Sequence, residues 1–158
     1  MDHELSQLSF EDAIQLPLHL RCASHILNLI ASRDVPSSLA NKDCRKLMRS
    51  SLAKCSALWN RVQRSVKAAE VVEAHANRAL VIPNNTRWNS LYKALVCIRD
   101  IPSVSCDRIA DELKKPRFTV AERRFLSEYC KIFGPLAEAL DILQGENNAS
   151  LSINQIFI

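Results

Sequence analysis

Glycine is almost missing from this chain, with two in 158 residues, and the scarcity removes whole classes of function. Glycine-rich loops that cradle phosphates need backbone conformations that other residues resist, so a nucleotide-binding P-loop or dinucleotide fingerprint is excluded. Tight two-residue hairpins are disfavoured for the same reason, and with them a sheet-rich fold. Aromatics are sparse at 6% of the residues. No apolar run approaches the eighteen or so uncharged residues of a membrane-spanning helix. Lys and Arg are absent from residues 1 to 20, and the acidic stretch from Asp2 to Asp12 does not resemble a signal peptide. No Cys-x-x-Cys is present: the six cysteines (Cys22, Cys44, Cys55, Cys97, Cys106, Cys130) are scattered, as reduced and mostly buried thiols are. The expectation is an intracellular, soluble chain.

With 47% apolar residues in 158, the chain can bury one sizeable core, as one domain or part of one. Low glycine with abundant Leu, Ala and Ser favours helix. Net charge is +4, but its distribution says more than its sum. Residues 1 to 20 carry net −4, residues 21 to 67 net +8, and the remainder balances. A basic block of this kind suits a phosphate backbone, although cations on exposed helix faces are common.

The pattern along the chain is mainly helical. Ser9 caps a short helix over Phe10 to Leu16, and Leu16, Leu18, Leu20 and Cys22 then alternate as a brief strand. From His25 to about Arg33 the period becomes helical, and Asp34 to Asn41 is a connector. The strongest helix spans Lys42 to Arg64. Met48, Leu52, Cys55, Trp59 and Val62 form its apolar stripe; Lys42, Lys46, Arg49, Lys54, Arg61 and Arg64 fall on the other half of the wheel. A shorter helix from Ser65 to about Ala76 precedes an extended Ala79 to Ile82. Trp88, Leu91, Tyr92 and Leu95 make the next stripe, and another helix runs from Ser105 to Lys114. Thr119-Val120-Ala121-Glu122 has the form of a capping box. The long helix after it, with Leu126, Tyr129, Phe133, Leu136, Leu140 and Leu143 on one face, should kink or split at Gly134-Pro135. The apolar end from Leu151 to Ile158 reads as a chain cut off inside a larger fold.

The chemistry is thin. Cys22 and His25 offer two zinc ligands where a structural site needs four, and His19, Cys44, His75 or Cys97 complete the set only by tertiary coincidence. A small buried thiol and a hydrogen-bonded imidazole at a helix start is the plainer reading. Trp88 sits on an apolar stripe, which makes it a core tryptophan. Its place at a helix start also allows the amides behind Asn85 and Thr86 to hold a phosphate, Arg87 to add a charged fork and the indole to stack on a base. No pair of carboxylates is isolated for general acid and base work.

Four segments carry a resemblance. These are Arg21-Cys22-Ala23-Ser24-His25-Ile26-Leu27-Asn28-Leu29, Lys54-Cys55-Ser56-Ala57-Leu58-Trp59-Asn60, Pro83-Asn84-Asn85-Thr86-Arg87-Trp88-Asn89-Ser90 and Phe133-Gly134-Pro135-Leu136-Ala137-Glu138 onward to Gly145. In order, over about residues 15 to 146, they resemble hAT-type DNA transposases and the zinc-finger BED proteins derived from them. The resemblance implies a ribonuclease H-like core interrupted by a helical insertion domain, a nuclear location, and a base-handling role for the tryptophan of the Arg-Trp motif, here Arg87 and Trp88. It also marks Cys22 and His25 as a family motif that follows the second catalytic aspartate. Nothing before Arg21 matches that aspartate, since Asp2 and Asp12 lack its context, and two-metal phosphoryl transfer needs the missing acids.

The expected fold is therefore mostly α with one or two short strands, a fragment of a ribonuclease H-like transposase core with its insertion domain. Residues 1–20 form an acidic segment with a short helix, 15–33 a remnant strand and helix of the core, 34–146 the insertion-like domain and 147–158 a truncated apolar tail. The chain is expected to be no enzyme by itself and to hold no cofactor, the divalent metal belonging to complete family members. Its expected partner is DNA, reached through Arg87, Trp88, Lys42, Lys46, Arg49, Lys54, Arg61 and Arg64, or related transposase chains, with no membrane. The alternatives are a helical protein-interaction module, using the Leu126 to Leu143 face and the apolar end, and a nonfunctional transposon remnant.

Overall fold

The computed structural model describes residues 23–34, 41–84 and 87–144. Six helices make up nearly all of it: α1 (Ala23–Leu29), continued by a π-helical turn Ile30–Asp34; α2 (Lys42–Gln63); α3 (Val66–Ala76); α4 (Trp88–Arg99); α5 (Ser103–Glu112); and α6 (Val120–Gln144). Among the described residues there is no strand. The segment 79–82, expected to be extended, forms no strand; it is fastened by the buried Leu80 and by the Ala79 carbonyl, which accepts from the Cys97 thiol. The alternating stretch from Leu16 to Cys22, the helix over Phe10 to Leu16 and the apolar end from Leu151 lie outside the described residues.

Caps decide where the helices begin and end. The Asn41 side chain accepts from the amides of Asp43 and Cys44 and starts α2, and the Ser65 hydroxyl accepts from Ala68 N–H and starts α3. α3 stops at Asn77, whose φ of 52° is left-handed and whose N–H reaches back to the Glu73 carbonyl at 2.9 Å. The capping box at α6 closes in both directions. Glu122 N–H donates to the Thr119 hydroxyl at 3.2 Å, and Thr119 N–H donates to the Glu122 carboxylate at 2.7 Å.

One core joins these helices. Cys55, Leu58 and Trp59 of α2 meet Ala68 and Val72 of α3, Leu95 and Ile98 of α4, Ile109 of α5, and Leu126 and Cys130 of α6. A smaller cluster of Ala31, Trp88, Ala137 and Leu140 seats α1 and the start of α4 on the second half of α6. The face from Leu126 to Leu143, expected to be available for a partner, is therefore turned inward. Leu126 and Leu140 are fully buried, and Tyr129, Phe133, Leu136 and Leu143 are half-buried.

Gly134-Pro135 does not split α6. Pro135 withdraws the N–H that the Lys131 carbonyl would accept. Burial of Cys130, Ala137 and Leu140 on both sides of the proline holds the helix to one course, and the Tyr92 hydroxyl braces it by donating to the Cys130 carbonyl at 3.0 Å.

A buried ionic network ties α2 to α6. Glu122, 3% exposed, accepts from Lys54 Nζ at 2.6 Å, from the Ser50 hydroxyl and from its own capping box. Lys54 Nζ also donates to the Arg117 carbonyl at 2.8 Å and lies 6.0 Å from the Phe118 ring centre. Burial opposes the charge on Glu122, but the bonds from Lys54, Ser50 and Thr119 outweigh it and hold the carboxyl down at about 2. Lys54 thus serves the fold and is not a free cation of the basic face.

Three outcomes follow from this packing. Glu122→Gln removes the charge that neutralises Lys54 and should cost about 3–5 kcal/mol in chemical denaturation. Because the folded carboxyl lies below its ordinary value of 4.5, its contribution is complete above that value and is lost as pH falls through about 2, so an acid titration of stability should be steep below pH 4.5 in the parent and flatter in the variant. Among the described thiols, burial pushes Cys55 up to about 12 and also raises Cys106 and Cys130, whereas Cys44 is half-exposed. Alkylation of the native chain at neutral pH should mark Cys44 and spare those three.

Candidate nucleic-acid interface

The first two turns of α2 gather four cations, Lys42, Arg45, Lys46 and Arg49, around a shallow concavity of about 320 Å³. None of the four forms an ion pair among the described residues, and Asp43 is the one acid in the turn. The cations that do pair are elsewhere: Lys54 with Glu122, Lys93 with Asp141, Arg99 with Asp100 and Arg117 with Asp111. Arg45 was not among the expected contacts, yet it stands four residues before Arg49 and so on the same side of the helix.

The same side of α2 continues into a larger cleft. Arg45, Arg49, Leu52, Ser56, Asn60 and Gln63 follow one another at steps of three and four, a stripe about 27 Å long at 1.5 Å per residue. From Leu52 onward this stripe forms one wall of a cleft of about 580 Å³. Asn28, Ala31 and Ser32 of α1 and its π-helical turn form another wall; Ile82, Pro83 and Asn84 with Arg87, Trp88 and Leu91 complete it. Among the described residues no acidic side chain lines the cleft, and Arg87 is the one charged group that does. The indole N–H of Trp59, a buried wall residue, has no hydrogen-bond partner among the described residues.

The expected contacts divide into three groups. Lys42, Lys46, Arg49 and Arg87 are exposed on this side of the molecule. Arg61 and Arg64 are exposed as well, but Arg61 falls about 100° round the helix from Asn60, off the stripe, and Arg64 is the residue that ends α2. Lys54 is bound to Glu122, as described above.

Trp88 is the main departure from a base-stacking surface. It is 5% exposed, its ring stacks on Tyr92 at 5.6 Å and meets the edge of Phe133 at 5.8 Å, and its indole N–H donates to the Tyr129 hydroxyl at 3.2 Å. Its backbone N–H, one of the amides expected to hold a phosphate, already donates to the Asn28 side chain at 2.8 Å. The core tryptophan of the apolar stripe is what the fold contains. Asn85 and Thr86 lie outside the described residues, as does Cys22; His25 is exposed on α1. His75 faces Glu112, and among the described residues no three His, Cys, Asp or Glu side chains converge as metal ligands.

Sequence comparison adds one match. The model of the ZBED1 RNase-like helical domain family aligns with residues 20–132, which contain α1 to α5, the cleft and the first half of α6. No curated protein and no solved structure matches the chain.

Removal of the Trp88 ring should therefore act on stability. Trp88→Ala is expected to lose about 3–5 kcal/mol of unfolding free energy, while Arg87→Ala, at an exposed position, should stay within about 0.5 kcal/mol of the parent in the same denaturation experiment.

Proposed function

The chain belongs to the ZBED1 RNase-like helical domain family, a transposase-derived helical domain, and from that premise we propose that it binds DNA without sequence preference and performs no chemistry itself. The observation that carries this reading is the cluster of Lys42, Arg45, Lys46 and Arg49, four cations on two turns with no acid of the described residues paired to them. Unpaired cations at helical spacing release counterions when they meet phosphates, and such contacts position a protein on a duplex without reading its sequence. Arg87, farther along the same side of the molecule, supplies a further cation.

The absence of chemistry is part of the proposal, supported by the work the carboxylates already do. Glu122 holds Lys54, Asp141 holds Lys93 and Asn89, Asp111 holds Arg117, and Asp100 holds Arg99. Residues 34–146 are in this reading the insertion-like part of the family's architecture, and a nuclear location is what the family resemblance suggests. No helix of the described residues is long and apolar enough to cross a membrane.

A second reading has one observation in its favour. On the outer side of α6, Ile132 and Ile142 are 66% and 67% exposed, which suits contact with another protein chain, a related transposase chain among them.

Salt separates the two readings. Binding to a random-sequence duplex should weaken with a slope of log K against log salt of about −0.9 for each phosphate neutralised. Lys46→Ala with Arg49→Ala should lower that slope by about two and weaken binding alike on unrelated duplexes, whereas Lys131→Ala, on α6, should leave it unchanged. Binding insensitive to salt and to the double substitution would contradict the DNA reading.

A further inference from the structure

The Arg87 side chain borders the cleft from a position that its own neighbours only partly fix. Arg87 is the residue that precedes α4, its φ and ψ are −133° and 123°, and its own side chain makes no capping hydrogen bond. Two local bonds shape the approach: the Arg87 N–H donates to the Asn84 carbonyl at 3.4 Å, and the Asn84 N–H donates to the Ser90 hydroxyl at 2.7 Å. The first amide of the helix, that of Trp88, is satisfied from outside. Asn28, 60 residues earlier in the chain, places its side-chain oxygen 2.8 Å from that amide. A helix whose cap residue has no side-chain acceptor gains order in its first turn from a distant acceptor, provided that the acceptor's own element is fixed. α1 meets this condition, since Leu27 and Ala31 pack with Trp88, Ala137 and Leu140.

We infer that Asn28 is a positioning residue for the DNA-contacting cation Arg87. By holding the Trp88 amide it fixes the first turn of α4, and with it the direction in which Arg87 leaves the backbone beside the cleft. The inference rests on the phosphate-contact reading of Arg87. It also gives Asn28 a task that joins the Cys22-to-Leu29 segment to the Arg87-Trp88 pair: one supplies the acceptor, the other the amide that needs it.

Two measurements test it, one of which needs no DNA. Amide hydrogen exchange on the full chain should show Trp88 exchanging about fivefold faster or more in Asn28→Ala, with Leu95 in the middle of α4 unchanged. Asn28→Asp keeps an acceptor in place and should restore the parental rate at Trp88. Titration with a random-sequence duplex then supplies a cycle: Asn28→Ala and Arg87→Ala should each weaken binding several-fold, and the double variant should be no weaker than Arg87→Ala alone. Unchanged exchange at Trp88 in Asn28→Ala would overturn the inference, as would losses of affinity that multiply. Expected exchange combined with parental binding by Arg87→Ala would also overturn it, and would locate the failure in the phosphate contact of Arg87 and not in the cap.

Discussion

Glu122 and Lys54 meet at the crossing of the two longest helices, and the rest of the molecule is arranged around that junction. Withdrawing a carboxylate and an ammonium from water costs several kcal/mol each, which a single ion pair rarely repays. Here the carboxylate also takes the Ser50 hydroxyl and closes the capping box, while the ammonium takes the Arg117 carbonyl. The network sets the starting point of α6 relative to α2, and α6 then seats α4 and α1 along its length. The cleft is the space left between α1, α2 and the start of α4, so its width follows from the same junction.

That arrangement sorts the positive charges. Cations on the sides of helices that face a neighbour are committed to carboxylates or carbonyls: Lys54 to Glu122, Arg123 to the Ile101 carbonyl at the end of α4, Lys93 to Asp141. Those on the first two turns of α2 are left over, because no element of the described chain carries an acid to them. An unpaired cluster contributes little to stability and repels itself, so four such cations gathered on two turns are the main physical argument for a polyanionic partner. The side of α2 that carries the cluster also forms the cleft wall, which places cations, amides and Arg87 on one continuous surface.

The sequence made the helices legible and their contacts much less so. α2 was readable from its apolar stripe, α3 from Ser65, and the start of α6 from the reciprocal pair Thr119 and Glu122, because each signal is local. The role of Lys54 was not readable: two residues from Leu52 it falls across the helix from the basic stripe, and its acceptor is 68 residues away. Trp88 carried two readings from its position alone, and the choice depended on Tyr92, Tyr129 and Phe133, only the first of which is on its own helix. Arg45 carries a local signal in its four-residue step to Arg49. Asn28 had none, since no local pattern shows that an amide 60 residues onward lacks a cap. The resemblance to zinc-finger BED proteins identified the family that the match over residues 20–132 then established.

The most direct measurement is a residue-resolved NMR titration of the chain with a random-sequence duplex at low salt. The account requires shifts concentrated at Lys42 to Arg49 and at Arg87 that fade as salt is raised, with Ile132 to Ile142 unaffected. Shifts centred on Ile132 to Ile142, or none anywhere in a folded chain, would contradict it.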